Sequence, residues 1–377
     1  MNPIYLDYNA TTPVDPSVRE AMLPYLRDHF GNPSSAHVFG RQAHEAVDQA
    51  RGQVAALLGA GPDEIVFTSG GSEASNHALK GAVFAHGVQG AHVITSAVEH
   101  PATLQPCAFL QRLGCRVTIL PVDRYGCVDP EAVRAALDGK TVLVSIMHAN
   151  NEVGTLQPIR EIAALAHAGG AFMHTDAAQS VGKVPVDVNA LGVDLLSVAG
   201  HKVYAPKGVG ALYVRRGVKL EPLIHGAGHE SGRRAGTENV PYVVALGMAC
   251  EVARRSLPQA GDRLRRLRDR LWDQLRDALG EGVVLNGHPE QRLPNTLNVN
   301  FVGWVGAELL QAVPEIAAST GSACHEGTVC LSPVLQAMGV PAELGRGAVR
   351  LSVGRFTTEE EVDRAAEVLQ KAIGRRQ

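Results

Sequence analysis

The chain has 377 residues, 45% of them hydrophobic and 19% charged, with a formal net charge of -3. That length exceeds one ordinary core and predicts two domains, while the near-balanced charge gives no reason to expect nucleic acid or anionic lipid as the main partner. No run of eighteen uncharged apolar residues occurs, and the opening "MNPIYLDYNATTPVDP" lacks a basic and an apolar stretch, so neither a membrane span nor a signal peptide is expected.

From about residue 62, short β-branched runs alternate with longer amphipathic segments. "EIVFTS" precedes "EASNHALKGAVFAHG", "HVITS" precedes "PATLQPCAFLQRLG", "RVTIL" precedes "PEAVRAALDG", and "TVLVSIMH" precedes "IREIAALAHAGG" and then "AFMHTDAA". Such alternation predicts βαβ units and a mostly parallel sheet, an α/β fold. "VDLLSVAG" and "GVGALYVRR" read as two strands joined by a short connection. A long helix running to Gly280 follows, with Leu264, Leu267, Leu271, Leu275 and Leu279 at helical spacing and its arginines on a solvated face. Beyond it, "TLNVNF", "EIAAST", "AVRLSVG" and the helical "TEEEVDRAAEVLQKAI" predict a smaller α+β domain, with the boundary near residue 255.

Several chemistry-bearing residues follow directly on predicted strands. In an open parallel sheet, ligands bind beyond the carboxyl ends of the strands. Asp176 follows "AFMH" and Lys202 follows "DLLSVAG". A lysine and a carboxylate held there suit pyridoxal phosphate: the lysine condenses with the aldehyde, and the carboxylate keeps the pyridine nitrogen protonated. Gly70, Gly71 and Ser72 lie between the strand "EIVF" and a helix, where backbone N–H groups and the helix dipole make an anion cradle. His100, in "SAVEHPATL", is placed to stack on a planar cofactor and move protons. Arg350, in "AVRLSVGRFTT", offers the two-pronged cation that best receives an α-carboxylate. Taken singly, each has a plainer reading: Lys202 as a surface-loop lysine, the glycines as an unliganded turn, His100 as a cap, Arg350 as a structural ion pair.

Six cysteines (Cys107, Cys115, Cys127, Cys250, Cys324 and Cys330) are scattered without a CxxC pair, which is no disulfide framework and suits a reducing cytoplasm. Cys324 sits among small residues in "ASTGSACHEG", a composition that predicts a mobile loop. His325 is a candidate for favouring its thiolate, and Cys330 reads as incidental. A metal site of Cys324, His325 and Glu326, as in a non-enzymatic sulfur-carrier scaffold, is disfavoured because adjacent side chains diverge, and no metal is expected.

Together "YLDYNATTPVDP", "GNPSSAHVFGR", "TSGGSEASNHA", "HANNEVGTLQP", "HTDAAQSVGKVPVDV", "GHKVYAPKGVGALYV", "RAGTENVP", "TGSAC" and "RLSVGRFTTEEEVD" resemble the cysteine desulfurases. These pyridoxal-phosphate enzymes have the class V aminotransferase fold. The resemblance runs from Tyr5 to about Asp363. It implies an aspartate aminotransferase-like fold with a mostly parallel seven-stranded sheet in the large domain and a smaller α+β domain. In residue terms, 1–15 form an arm on the small domain, 16–255 the cofactor-binding domain, and 256–377 the small domain with the cysteine loop.

The resemblance also implies roles. Lys202 joins the cofactor, Asp176 meets the pyridine nitrogen, Gln179 meets the ring hydroxyl region, and Asn151 lies close to both ring and substrate. Gly71, Ser72 and His201 bind the phosphate, and Thr237 reaches the phosphate of a neighbouring subunit's cofactor, which implies a homodimer. His100 stacks on the ring, Arg350 holds the substrate carboxylate, and Cys324 takes sulfur from L-cysteine as a persulfide, releasing alanine. The stretch before "SPVLQAMG" resembles the longer-loop group, which delivers sulfur to an acceptor such as an iron–sulfur scaffold or a tRNA-thiolation protein. Selenocysteine lyase is the nearest rival within the fold. One position departs from the family pattern: Ala199 stands where a serine often contacts the phosphate, so weakened or rearranged phosphate binding is expected.

Overall fold

A computed structural model describes residues 3–320 and 331–374. In chain order the first elements are β1 (Ile4–Tyr5), α1 (Pro16–Arg27), α2 (Val38–Leu58), β2 (Ile65–Thr68), α3 (Gly71–His86), β3 (His92–Ser96), α4 (Pro101–Arg112) and β4 (Arg116–Leu120). Next come α5 (Pro130–Ala136), β5 (Thr141–Ser145), α6 (Ile159–Ala168), β6 (Phe172–Asp176), α7 (Val188–Leu191), β7 (Leu195–Ala199) and β8 (Gly210–Val214). The rest are α8 (Val240–Leu279), β9 (Val283–Leu285), β10 (Thr296–Phe301), α9 (Gly306–Ala312), β11 (Ile316–Ala317), α10 (Pro333–Ala337), α11 (Ala342–Gly345), β12 (Ala348–Ser352) and α12 (Glu359–Gly374).

Among the described residues, seven strands form the main sheet in the order β2-β8-β7-β6-β5-β3-β4. Strands β3 to β7 pair in parallel where they touch, whereas β8 runs antiparallel to both β7 and β2. This is the mostly parallel sheet the alternating pattern predicts, with the short "HKVYAPK" connection accounting for the one reversed strand. Alternate residues of each strand enter different cores. Phe67, Ile94, Val144 and Leu196 pack with α2, α6 and the first half of α8, while Val66, Val93, Leu143 and Leu195 pack with α3 and α4. Burial on both faces is why these strands read as unbroken apolar runs.

A second sheet, β12-β10-β9, is antiparallel and carries its own core of Leu297, Val299, Phe301, Leu351 and α12 residues. Helix α8 serves both cores: Val243, Leu246 and Cys250 enter the first, Leu264, Leu267, Leu271 and Leu275 the second. Its arginines divide more than the sequence predicts. Arg254, Arg255, Arg265 and Arg276 form exposed ion pairs, but Arg268 is buried and donates to Leu293 O. Arg263 donates to the carbonyls of Arg355 and Thr357, clamping the turn after β12. Arg268 and Arg263 bind carbonyls because a guanidinium fork satisfies several buried acceptors at once. The chain start crosses over to join β11: β1 pairs with it in parallel, and Asp7 bridges to Ser352.

Candidate active site

Strands β2 and β3–β7 end on the same edge of the sheet, and β8 begins there. At that edge lies a cavity of about 590 Å³ lined, among others, by Gly70, Gly71, Ser72, His100, Asn151, Asp176, Gln179, His201, Lys202 and Arg350. Most of these residues, far apart in sequence, meet because each lies at or just past the end of its own strand, whereas Arg350 comes from within β12 of the second sheet.

The glycine turn after β2 is held open by close packing. Gly70 has φ +152°, which penalises a side chain, and Gly210 at the start of β8 lies so close that an added Cβ would come within 2.7 Å of Gly70 Cα. The free N–H groups at the start of α3 therefore face the cavity, a ready anion site. Ala199 abuts this turn: a Cβ on Gly71 would lie 3.0 Å from the Ala199 Cβ. On the rim, Glu73 pairs with Arg234 (2.9 Å) and accepts from Ser69 N.

Asp176, at the end of β6, is buried and accepts from Ala178 N through Oδ1 at 2.9 Å. Burial raises its pKa, and the nearby charges of His100 and Lys202 pull the other way. A cationic partner over the carboxyl would complete its compensation. His100 caps α4, accepting from Ala102 N through Nδ1 (3.1 Å), so in the neutral ring the proton is on Nε2. Burial lowers its pKa. His201 bonds Thr11 Oγ1 through Nδ1 at 3.1 Å and is held neutral, its pKa lowered to about 4 by burial and then by Lys202.

Lys202 donates to Asn9 O (2.5 Å) and Ala10 O (2.7 Å). Burial, with Arg350 adding to it, lowers its pKa to about 8, against the opposing pull of Asp176 and Asp7. The amine is thus far more available as a nucleophile than an ordinary lysine. Arg350 is buried on the opposite wall, where Nη2 donates to Asp7 Oδ1 (2.7 Å), Nη1 donates to Asn151 O (3.0 Å), and Nε has no partner among the described residues. Arg350 therefore lines the cavity and also holds the ion pair of its plainer reading.

Not every expected residue is at the cavity. Thr237 is exposed and does not line it in this chain. Cys324, His325, Glu326 and Cys330 lie outside the described residues. Conversely, the structure adds groups the sequence reading did not single out. Asn9 lines the cavity with Lys202 and Gln179 bound to its carbonyl. Glu99, beside His100, is buried, accepts from Ser96 Oγ (2.6 Å) and Met147 N, and has its pKa pushed up to about 8 by burial. Lys183 is buried behind Gln179. Asn9 lies in a quoted motif and Glu99 next to a chosen residue, but their burial depends on long-range packing.

An anion cradle, a buried carboxyl, a lysine with a depressed pKa and a histidine cap around one cavity form a donor set that suits a phosphorylated aromatic aldehyde. The class this defines is a pyridoxal-phosphate enzyme built on an aspartate aminotransferase-like sheet. The chain belongs to the class-V aminotransferase family, whose model matches residues 4–365, and that family is pyridoxal-phosphate-dependent. It is 48% identical over 372 residues to the cysteine desulfurase IscS of Dictyoglomus turgidum, covering 98% of this chain and 94% of that one. Among solved structures, a NifS-like protein superposes with a TM-score of 0.92 at 38% identity over 99% of both chains. The protein SspA, solved in complex with cysteine, has a TM-score of 0.83 at 38% identity over 94% of this chain and 99% of that one. Among the described residues, no helix is long and apolar enough to cross a membrane, and no group of three or more His, Cys, Asp or Glu side chains is arranged to hold a metal.

Proposed function

We propose that this chain is a cysteine desulfurase that converts L-cysteine to L-alanine and passes the sulfur, through a persulfide on Cys324, to an acceptor protein. The observation that carries the reading is the convergence of Lys202, Asp176, His100 and the α3 anion cradle on one cavity. When bound, pyridoxal phosphate supplies an electrophilic carbon and a ring that accepts the electron pair released at the substrate α-carbon.

The chain's residues would serve that chemistry as follows. The start of α3, with Gly71, Ser72 and His201, would hold the phosphate. Asp176 would meet the ring nitrogen, and His100 would cover the ring. Lys202 would offer a neutral amine to the aldehyde and accept the α-proton at Nζ. Asn151, on the same cavity, would serve both ring and substrate. Arg350 receives the substrate carboxylate through its guanidinium, in competition with Asp7. The Cys324 thiolate forms a bond to the substrate sulfur as the carbon–sulfur bond breaks.

Acceptors of the iron–sulfur scaffold or tRNA-thiolation kind, a cytoplasmic setting and a homodimer in which Thr237 serves the partner's site belong to the same reading. So does a division into a large domain of residues 16–255 and a small domain of 256–377, with residues 1–15 as an arm on the latter. The β1–β11 pairing and the change of core midway along α8 support that division.

The test is to supply L-cysteine to the purified protein and measure alanine and persulfide. Wild type forms both, Lys202→Ala forms neither, and Cys324→Ala loses sulfur transfer. A Cys324→Ala variant with undiminished alanine formation from L-cysteine would sink the mechanism and favour a selenocysteine lyase.

A further inference from the structure

Lys183 is a buried cation that the proposed reaction does not use. It sits in the turn after β6, four residues beyond Gln179, and its Nζ donates to Gln179 Oε1 at 3.1 Å. The other end of the same carboxamide is fixed as well, because Gln179 Nε2 donates to Asn9 O at 2.9 Å. A carbonyl can only accept, so Asn9 O fixes the amide nitrogen on its side, and Lys183 Nζ then donates to the amide oxygen left on the other. One Nε2 hydrogen is taken by Asn9 O. The second is left for the cavity that Gln179 lines.

We propose that Lys183 is a positioning residue: it locks the Gln179 carboxamide so that its remaining N–H is presented as a donor to the ring oxygen of bound pyridoxal phosphate. This rests on the cofactor reading above. Asn9 O serves as the shared reference point, since Lys202 Nζ also donates to it. Burial, with the like charges of Lys202 and Arg350 adding to it, lowers the pKa of Lys183 to about 7.

The lock has a spectroscopic consequence. A donor on the ring oxygen favours the deprotonated form of the bound chromophore, so removing it raises the pH at which the visible absorption changes. The experiment titrates that absorption in the holoenzyme for wild type, Lys183→Met, Gln179→Leu and the double variant. Lys183→Met should raise the apparent pKa by about one unit, a tenfold change in the protonation equilibrium. Gln179→Leu should raise it at least as far, and the double variant no further than Gln179→Leu, because Lys183 acts through Gln179. Lys183→Arg keeps a permanent donor and has room in a neighbouring cavity of about 260 Å³ lined by Lys183, Ser256 and Gln259, so it should restore the wild-type value. If Lys183→Met does not fold, Lys183→Ala, which also lacks a donor, takes its place in the cycle with the same expected shift.

An unchanged titration in the Lys183 variant, or shifts that add in the double variant, would overturn the proposal. A wild-type protein that stays colourless after addition of pyridoxal phosphate would instead defeat the cofactor reading itself.

Discussion

The cavity has two walls made in different ways. One is a row of turns, each following its own strand: Gly70–Ser72 after β2, His100 after β3, Asp176 and Gln179 after β6, His201 and Lys202 after β7. The other comes from residues 7–10, with Arg350 of β12 behind them. Asn9 donates from its backbone to Ser352 Oγ, from Nδ2 to Thr296 Oγ1, and accepts from Asn295 Nδ2, all contacts across more than 280 residues of sequence. The first wall is positioned by local chain geometry on a rigid sheet. The second is positioned by folding of the whole chain. Substitutions on the first wall should therefore change chemistry, and substitutions on the second should change stability first.

The strongest test of that contrast is Asp176→Ala. Removing the carboxyl that would compensate the ring nitrogen should lower kcat by roughly 10²–10³, the scale of losing one preorganised electrostatic group. Stability should shift little, because the burial cost of the carboxyl offsets its bond from Ala178 N and the pull of His100 and Lys202. A kcat within threefold of wild type, or a collapse of thermal stability, would break the distinction.

The second test uses pH. Lys202 loses its proton as pH rises through about 8, whereas an ordinary lysine holds it to 10.5. Near pH 8 the neutral amine is thus roughly two orders of magnitude more abundant than in an unperturbed lysine. Colour recovery on adding pyridoxal phosphate to cofactor-free protein should accelerate up to about pH 8 and then level off. A rate that keeps climbing tenfold per unit to pH 10 would show that burial does not tune this amine.

On the other wall, Asn9→Ala leaves Asn295 Nδ2 and Thr296 Oγ1 short of partners in a buried setting. The expected loss is about 2–3 kcal/mol in denaturant unfolding, from the unsatisfied groups. Cofactor affinity should fall as a consequence, since Asn9 O is unchanged but its anchorage is gone. Unaltered stability with weakened cofactor binding would place Asn9 functionally with the strand turns.

This division also explains what could be read from the sequence. Lys202, Asp176 and His100 were legible because a strand pattern followed by one or two residues fixes their position to within a turn. The strands themselves were legible from the same apolar runs, with β2, β3, β5 and β7 among the buried ones. Lys183 was not, because it lies in an irregular turn with no periodicity to mark the face it presents. Nor was Glu99, whose burial arises where the β3–α4 turn meets Met147 at the end of β5. Arg268 and Arg263 share the helical spacing of their exposed neighbours, and their carbonyl partners at Leu293, Arg355 and Thr357 become visible only in the packed structure.

The smallest expected effect is at Ala199, on the first wall yet without a polar group. It ends β7 and touches the turn that opens α3, so a hydroxyl on it would face the same anion site as Gly71 and Ser72. The approach is tight there: a Cβ on Gly71 would lie 3.0 Å from the Ala199 Cβ, and a serine Oγ must rotate away from Gly71 toward the cavity. One added hydrogen bond to a charged phosphate contributes about 1.5 kcal/mol at the low end of its range, or roughly tenfold in affinity. Ala199→Ser should therefore tighten pyridoxal-phosphate binding by about tenfold, measured by the concentration needed to restore the visible absorption of cofactor-free protein. Tighter binding with unchanged kcat would mean that the cradle holds the phosphate and leaves the chemistry to Lys202 and Asp176. Weaker binding would mean that the alanine is required by the close packing of β7 against α3.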